Sequence, residues 1–506
     1  MLKLNLLDKF LDGITMYRLV LYYLIALLLI AVVLSFFGVL YFSPFAIIFS
    51  SIFLVVVCYV SNFIFSYVFE AAPNVESLYI TALILALIIT PTTSFHGLVF
   101  LGWAGLLAMA SKYILAIQKK HIFNPAAVAV AATAIGLGQS ASWWVGTAWM
   151  APFVFLGGIL IMKKIQREDL VVTFFVVAIA ASAFFGFSKG TDFFETLKRI
   201  LLDSSLLFLG FVMLTEPLTT PSTKKLRFVY GALVGILFPP QVHVGPVFST
   251  PELALLVGNV FSYFVSPKEK LMLVLKEKIQ IGTDITDFVF PLPKKLNFLP
   301  GQYMEWTLAH KSPDSRGNRR YFTLASSPTE DTVRLGVKFY ENGSSYKKSM
   351  GTMDLGSKIL AGQVAGEFTL PKDQNKKLVF IAGGIGITPY RSILKYLIDT
   401  NQKREIVLFY SNKFASEIMY QDVFDQAAKK LNIKIVYTVT EETSPVWKGR
   451  KGRIDSQMVE QEVPDWKERT FYLSGPHVMV TGFEQTLKDM GVSSNQIKID
   501  FFPGYA

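Results

Sequence analysis

Cysteine is nearly absent: the 506-residue chain has one, Cys58, set inside an apolar run. A lone thiol excludes a disulfide within the chain and a cysteine-ligated iron–sulfur cluster. Histidine is almost as scarce, and the first half holds only His96, His121 and His243, all in segments that read as loops. A bis-histidine haem needs ligand pairs facing one another from two helices, so a haem-based membrane reductase is excluded. No cluster of residues suits a metal. Acidic residues are outnumbered 38 to 49 by basic ones, a formal charge of +11. Much of that excess lies in short loops between apolar runs, so membrane topology accounts for it and no nucleic-acid partner is expected. No cleavable signal peptide is expected; MLKLNLLDKFLDGITMYR reads as an amphipathic surface helix.

What the chain has in abundance is apolar sequence: 52% hydrophobic residues and a mean hydropathy of +0.42, too apolar for an ordinary soluble protein. The distribution is uneven. Long apolar runs dominate up to about Val265, and charged residues return after Pro267. A polytopic α-helical membrane domain is expected over 1–266. A crossing takes roughly 20 apolar residues, fewer where neighbours bury the segment. That rule marks about ten spans, at 18–42, 45–70, 76–91, 97–117, 125–139, 148–163, 169–188, 200–215, 226–239 and 250–266. Basic residues before the first span and after the fourth, sixth, eighth and last (Arg18, Lys120, Lys163, Lys164, Arg167, Lys224, Lys225, Arg227, Lys270) fall on one side for an even count. Both termini and the soluble half are then cytoplasmic, on a multi-pass protein of the inner membrane; Lys189, Lys198 and Arg199 are exceptions.

Two loops of this half are unusual. In His121-Ile122-Phe123-Asn124-Pro125-Ala126, Asn124 suits a helix cap and Pro125 a first turn. Thr215-Glu216-Pro217-Leu218-Thr219-Thr220-Pro221 sets a carboxylate and hydroxyls at a span's end. They read equally as capped helix ends or as a polar site, since broken helices at membrane depth line cavities. Asp203, Glu216 and Glu252 are candidates for proton or sodium handling, and each reads also as a solvated carboxylate near a helix end. With Asn259 in the last span, these segments resemble the D subunit of the Rnf complex and the B subunit of the sodium-pumping NADH:quinone reductase, over roughly 112–265. The resemblance implies a flavin in the membrane half, often an FMN joined by a phosphoester to a threonine in an S-G-A-T-like motif. That motif is missing; Val145-Gly146-Thr147-Ala148 is the nearest stretch, so non-covalent FMN is favoured over covalent.

From Met272 to about Thr369, short β-rich runs alternate with turns at the spacing of an antiparallel barrel, expected over 267–373. Within it Arg320-Tyr321-Phe322-Thr323 reads as a strand with Arg320 and Phe322 on one face, Tyr321 and Thr323 on the other. Guanidinium, aromatic ring and hydroxyl suit a pyrophosphate, an isoalloxazine and a flavin nitrogen. Gly343-Ser344-Ser345 offers a second phosphate contact or a solvated turn.

The chain's centre is Lys376–Ser392, where an apolar strand breaks into Gly383-Gly384-Ile385-Gly386-Ile387-Thr388-Pro389 ahead of a helix. Bare backbone N–H groups at such a turn suit a phosphate, with glycines keeping Cβ atoms off the ligand. The turn is not G-x-G-x-x-G, and by itself it reads as readily as a tight strand–helix connection. A second strand ends at Ser411-Asn412-Lys413, where a doubly wound domain meets the adenosine ribose. No acidic residue adjoins it in sequence, and Lys413 suits a 2′-phosphate or plain solvent. The α/β nucleotide domain is expected over 374–506, with a further strand ending at Ser474-Gly475-Pro476 and the tail Asp500-Phe501-Phe502-Pro503-Gly504-Tyr505-Ala506.

In that order these motifs resemble the ferredoxin–NADP⁺ reductase family. The resemblance implies that Arg320, Tyr321, Phe322 and Thr323 bind FAD, that Gly383, Gly384, Gly386, Thr388 and Pro389 receive the NAD(P)H pyrophosphate, and that Ser474, Gly475 and Pro476 adjoin the nicotinamide. Thr323 and Ser474 are the expected catalytic contacts, and Tyr505 a shield for the flavin. The expected whole is a membrane-bound flavoprotein oxidoreductase passing electrons from NAD(P)H through FAD to quinone or another acceptor, with lipid and partner redox proteins around it. The alternative is a flavin or ion transporter with a fused flavin reductase.

Overall fold

The computed structural model describes residues 11, 13–69, 75–117, 120–266, 270–311, 313–314, 316–441 and 446–500. It divides into two compact units, Met1–Glu269 and Lys270–Ala506.

The first unit is helical and apolar. Helices Met16–Phe36, Pro44–Val68, Phe95–Ile114 and Glu168–Ser188 are long and apolar enough to cross a membrane. At about 1.5 Å per residue such helices match a hydrocarbon core about 30 Å thick. They also expose bulky apolar side chains such as Leu29, Phe36, Ile52, Phe63 and Phe187, which suits a lipid solvent. Val75–Ile88, Pro125–Leu137 and Pro251–Val265 are apolar but shorter. Ala151–Ile165 and Lys224–Leu237, of 15 and 14 residues, are of similar length. All ten expected segments fall on helix, yet among the described residues four helices meet the length and apolarity of a crossing, not ten.

The eighth expected crossing is broken. An amphipathic helix Phe193–Leu202 stops at Asp203, and a short helix and π-turn over 206–213 follow, wholly buried. A carboxylate in mid-run is costly in lipid, so the chain turns there and leaves Asp203 exposed.

Caps fix the helix starts. Asn124 Oδ1 accepts from Ala127 N at 3.1 Å with Pro125 in the first turn, as read from the sequence. Arg18 pairs with Glu76 at 2.6 Å, and Arg227 with Asp169. Gly231 lets two helices meet at their backbones, since a Cβ there would lie 2.9 Å from the Leu170 carbonyl oxygen.

The first unit carries two short hairpins, β1 (Ala116–Ile117) with β2 (Lys120–His121) and β3 (His243–Val244) with β4 (Val247–Phe248); the second unit holds two antiparallel sheets and one parallel sheet. Strands β5 (Leu271–Val274), β8 (Tyr303–Thr307), β9 (Arg319–Thr323) and β11 (Lys358–Ala365) form one sheet in the order β5-β11-β8-β9. Strands β6 (Glu277–Gly282), β7 (Ile285–Pro291) and β10 (Thr332–Lys338) form another, with β7 central. The expected barrel is thus two sheets around one core of Leu273, Phe288, Phe290, Trp306 and Leu335. The parallel sheet contains β12 (Leu378–Gly383), β13 (Ile406–Asn412), β14 (Lys434–Val439), β15 (Arg450–Lys451), β16 (Thr470–Ser474) and β17 (Ile497–Asp500). Its order is β15-β14-β13-β12-β16-β17, so strand order reverses between β12 and β16. Such a switch point opens a crevice at the strands' carboxyl ends. Every residue of β12 is buried, because helices cover both faces.

A polar seam joins the antiparallel sheets to the parallel domain. Arg391 donates to the Ala325 carbonyl and the Glu330 carboxylate, both at 2.9 Å, and Ser392 donates to the Ser326 carbonyl at 2.6 Å. Burial pushes the Asp287 carboxyl up despite Arg334 beside it.

Candidate functional site

Strand β9 carries two sets of groups, one at each end. Arg320 is buried, its guanidinium 5.0 Å from the Tyr346 ring centroid, and one of its nitrogens donates to the carbonyls of Arg316, Gly317 and Arg319. Phe322 meets the same Tyr346 ring at 6.2 Å, so Arg320 and Phe322 share a face. Tyr321, on the other face, donates to Glu305 at 2.9 Å and stands edge-on to Tyr303.

Tyr346 belongs to the helix Ser345–Gly351, capped by Ser344 Oγ, which accepts from Lys347 N at 3.3 Å. Gly343 forms the turn before it, its N–H donating to Tyr340 at 2.9 Å. Ser345 is committed differently from expectation: its hydroxyl accepts from Asp314 N at 2.9 Å and lies 3.0 Å from His310. Burial, with Arg320 and Arg316 nearby, pushes the Lys347 ammonium down to about 8. Arg316 is paired with Asp314 at 2.8 Å, and Arg320 and Lys347 stand close by, a setting that suits a diphosphate.

At the other end of β9, Thr323 donates to Asp500 at 3.5 Å. Three residues of strand, about 10 Å, separate Thr323 from Arg320. Asp500 ends β17 and lies opposite Ser474, which ends β16. Burial pushes the Asp500 carboxyl up to about 7, the Thr323 hydroxyl pulling only weakly the other way. In sequence Asp500 is only the start of the tail; its meeting with Thr323, 177 residues away, leaves no local signal. Tyr505 lies outside the described residues.

The glycine turn follows β12 as a 3₁₀ turn, Gly384–Ile387, into the helix Thr388–Asp399 with Pro389 in its first turn. Two of its glycines are also required by packing. A Cβ on Gly386 would lie 2.4 Å from the Ser474 carbonyl oxygen, and one on Gly383 would lie 2.2 Å from Met479 Sδ. They let the loops after β12 and β16 pack backbone to backbone: a Cβ on Gly475 would lie 3.2 Å from Gly383 N, and one on Gly383 3.3 Å from Pro476 Cδ. Gly384 alone is left-handed, φ +52°, with open space at its Cβ position. It is the glycine that faces a vacant approach. Thr388 turns its hydroxyl back to the Ile385 carbonyl at 3.3 Å. Ser411 lies beside Gly383 across the sheet, and the buried Asn412 ends β13.

The donor set fits FAD and a nicotinamide dinucleotide: a crowded cationic loop, an aromatic strand, a hydroxyl–carboxyl pair, and a glycine turn at a switch point. Asp203 accepts Ala148 N–H at 3.3 Å, and the Thr147 hydroxyl before it is buried without a hydrogen-bond partner among the described residues.

In the first unit, the two unusual loops meet. Glu216 accepts from Asn124 Nδ2 at 2.9 Å and lies 3.1 Å from His121 Nε2. Asn259 accepts from Asn124 N at 2.9 Å and donates to the buried Tyr230 hydroxyl at 3.0 Å. Glu252 is no solvated end group: it is 3% exposed and accepts from Trp143 Nε1 at 3.2 Å.

Three family models match the chain in succession: the NQR2, RnfD, RnfE family over 143–269, the oxidoreductase FAD-binding domain over 272–368, and the oxidoreductase NAD-binding domain over 380–485. Among curated relatives, a flavohemoprotein of Oceanobacillus iheyensis is 25% identical over 236 residues, covering 45% of this chain and 57% of that protein. The NADH-cytochrome b5 reductase 1 of Aspergillus terreus is 25% identical over 237 residues, covering 45% of this chain and 80% of the relative. The chain spans 57–60% of the length of the first flavohemoproteins it matches. Among solved structures, a cytochrome P450 reductase of Amycolatopsis overlaps 47% of this chain and 71% of its own, with 24% identity and a TM-score of 0.43. The cytochrome b5 reductase domain of Ulva prolifera nitrate reductase overlaps 46% of this chain and 98% of its own, with 24% identity and a TM-score of 0.42. The chain is a fusion of an NQR2, RnfD, RnfE family segment with FAD-binding and NAD-binding domains of the ferredoxin–NADP⁺ reductase type.

Proposed function

We propose that the chain is a membrane-bound NAD(P)H-dependent flavoprotein oxidoreductase that delivers electrons to its membrane unit and on to quinone or another acceptor. The observation that carries this reading is the meeting of Thr323, Ser474 and Asp500 at the switch point, beside the glycine turn. When bound, FAD accepts a hydride from the nicotinamide and releases electrons singly, which nicotinamide does not do.

In this reading the chain's own residues bind, orient and manage a proton. Arg320, Ser344, Ser345 and Lys347 hold the flavin diphosphate, with Tyr321 and Phe322 against the cofactor. Thr323 orients the ring by its hydroxyl. The turn of Gly383, Gly384, Gly386, Thr388 and Pro389 receives the dinucleotide diphosphate, with Ser411 and Asn412 toward the ribose. Ser474, Gly475 and Pro476 line the nicotinamide side. Asp500, poised near neutrality, holds or gives up a proton at its Oδ2 as the charge beside Thr323 changes. Uptake of a hydride followed by loss of two single electrons would release one proton, which Asp500 is placed to accept.

The membrane unit crosses the bilayer several times with the reductase module on the cytoplasmic side, supported by the apolar helices and the basic loops. A second flavin there, non-covalent FMN, would place an electron carrier between FAD and the acceptor. The full chain in detergent, loaded with FAD, is expected to oxidise NADH or NADPH with ferricyanide and with a short-chain quinone. Failure with both acceptors sinks the proposal. Two flavins per chain, both released by acid, would add the membrane carrier. Substrate uptake by vesicles without NAD(P)H oxidation would favour the transporter alternative.

A further inference from the structure

We propose that the loop after β13 selects NADH, whose adenosine ribose carries a free 2′-hydroxyl, and rejects the 2′-phosphorylated NADPH. The inference rests on the reading above in one respect, that a dinucleotide binds at the carboxyl edge of β12 and β13. In a doubly wound domain the end of the second strand meets the adenosine ribose.

Asn412 closes that strand. It is 5% exposed, and its amide makes no hydrogen bond of good geometry among the described residues, its near polar neighbour being the Tyr410 hydroxyl. An amide offers both a donor and an acceptor, which matches a ribose hydroxyl in both senses. A phosphate only accepts, so it would leave the amide oxygen facing an anion.

Charge points the same way. Lys413, the cation that suits a 2′-phosphate in sequence, has its ammonium 3.1 Å from Glu441. The Lys413 backbone N–H donates to Glu417 Oε2 at 3.2 Å, and the other Glu417 oxygen lies 3.4 Å from the Lys338 ammonium. Each of the two lysines is matched by a carboxylate, so the four charges cancel. A 2′-phosphate adds between about 1.5 and 2 negative charges to such a set with no net positive charge to receive them. Glu441 is brought there by the pairing of residues 440–441 with 412–413, through Thr440 N to Asn412 O and Glu441 N to Lys413 O. Glu441 reaches Lys413 through that pairing, so no sequence neighbour announces it.

The test uses the FAD-loaded full chain in detergent and two fragments, 5′-AMP and adenosine 2′,5′-bisphosphate, with binding read by calorimetry. The expected result is that 5′-AMP binds at least about ten-fold more tightly. Equal or tighter binding of the bisphosphate overturns the proposal, and so does binding of neither. Glu441→Arg is expected to tighten the bisphosphate by about five-fold or more while leaving 5′-AMP unchanged, because it replaces a repelling charge with an attracting one. A parallel loss of both ligands overturns the role given to Glu441. A protein with this preference that oxidises neither dinucleotide would sink the redox reading and leave the selectivity standing.

Discussion

Arg320 spends one nitrogen on three backbone carbonyls and lays its plane over Tyr346, so its shape matters as much as its charge. A lysine keeps the charge and loses the plane and the fork. Arg320→Lys is expected to lower FAD affinity by about ten-fold or more, read as the flavin retained after desalting. Asp500 carries the second prediction at this scale. Its folded pKa, about 7, lies above the ordinary carboxylate value of about 3.9. A raised value favours the protonated form in the folded state. Its stabilising contribution is therefore full below about pH 4 and is lost progressively as pH rises to about 7. Asp500→Asn should flatten that part of the stability profile, measured as the denaturation midpoint between about pH 4 and 8. The same change should remove an inflection near neutrality from kcat/KM. An unchanged profile would exclude Asp500 as the titrating group.

At the scale of elements, the turn after β12 is tightened by its neighbour. Gly386→Ala would drive a Cβ into the Ser474 carbonyl, a backbone atom with nowhere to move. It is expected to cost about 1–3 kcal/mol of soluble-unit stability by overpacking. Gly384→Ala meets no atom, and its cost is the left-handed backbone alone, about 1–2 kcal/mol. Comparing the two by thermal denaturation and nucleotide affinity separates packing from access. Gly386→Ala should lose stability first, Gly384→Ala affinity first. The strand–turn–helix itself was legible because its signals are local: an apolar run, clustered glycines, a proline in the first turn. The reason for Gly386 was not, since the atom that forbids its Cβ lies 88 residues onward.

For the whole molecule, the basic loops and the apolar helices make a prediction about sidedness. NADH added to inside-out vesicles should be oxidised at once, while sealed right-side-out vesicles should oxidise it only after permeabilisation. Equal rates in both would reverse or void the cytoplasmic placement. Fusing the two units on one chain raises the concentration each presents to the other, so electron transfer should not weaken on dilution.

The sequence by itself determined the periodic and local features. Apolar runs marked the helical segments, and alternation set Arg320 and Phe322 against Tyr321 and Thr323. Asn124 and Pro125 announced a capped start. These are legible because hydrophobic spacing, strand alternation and capping act within a few residues. Tertiary structure decided what depends on distant partners. It broke the segment at Asp203, and it buried Glu252 under Trp143, although a carboxylate near a helix end reads as solvated. It joined Asn124 to Glu216 and Asn259, carried Asp500 to Thr323, and paired Lys413 with Glu441. Each of those outcomes rests on a charge or hydrogen-bond partner that only the folded chain brings within reach.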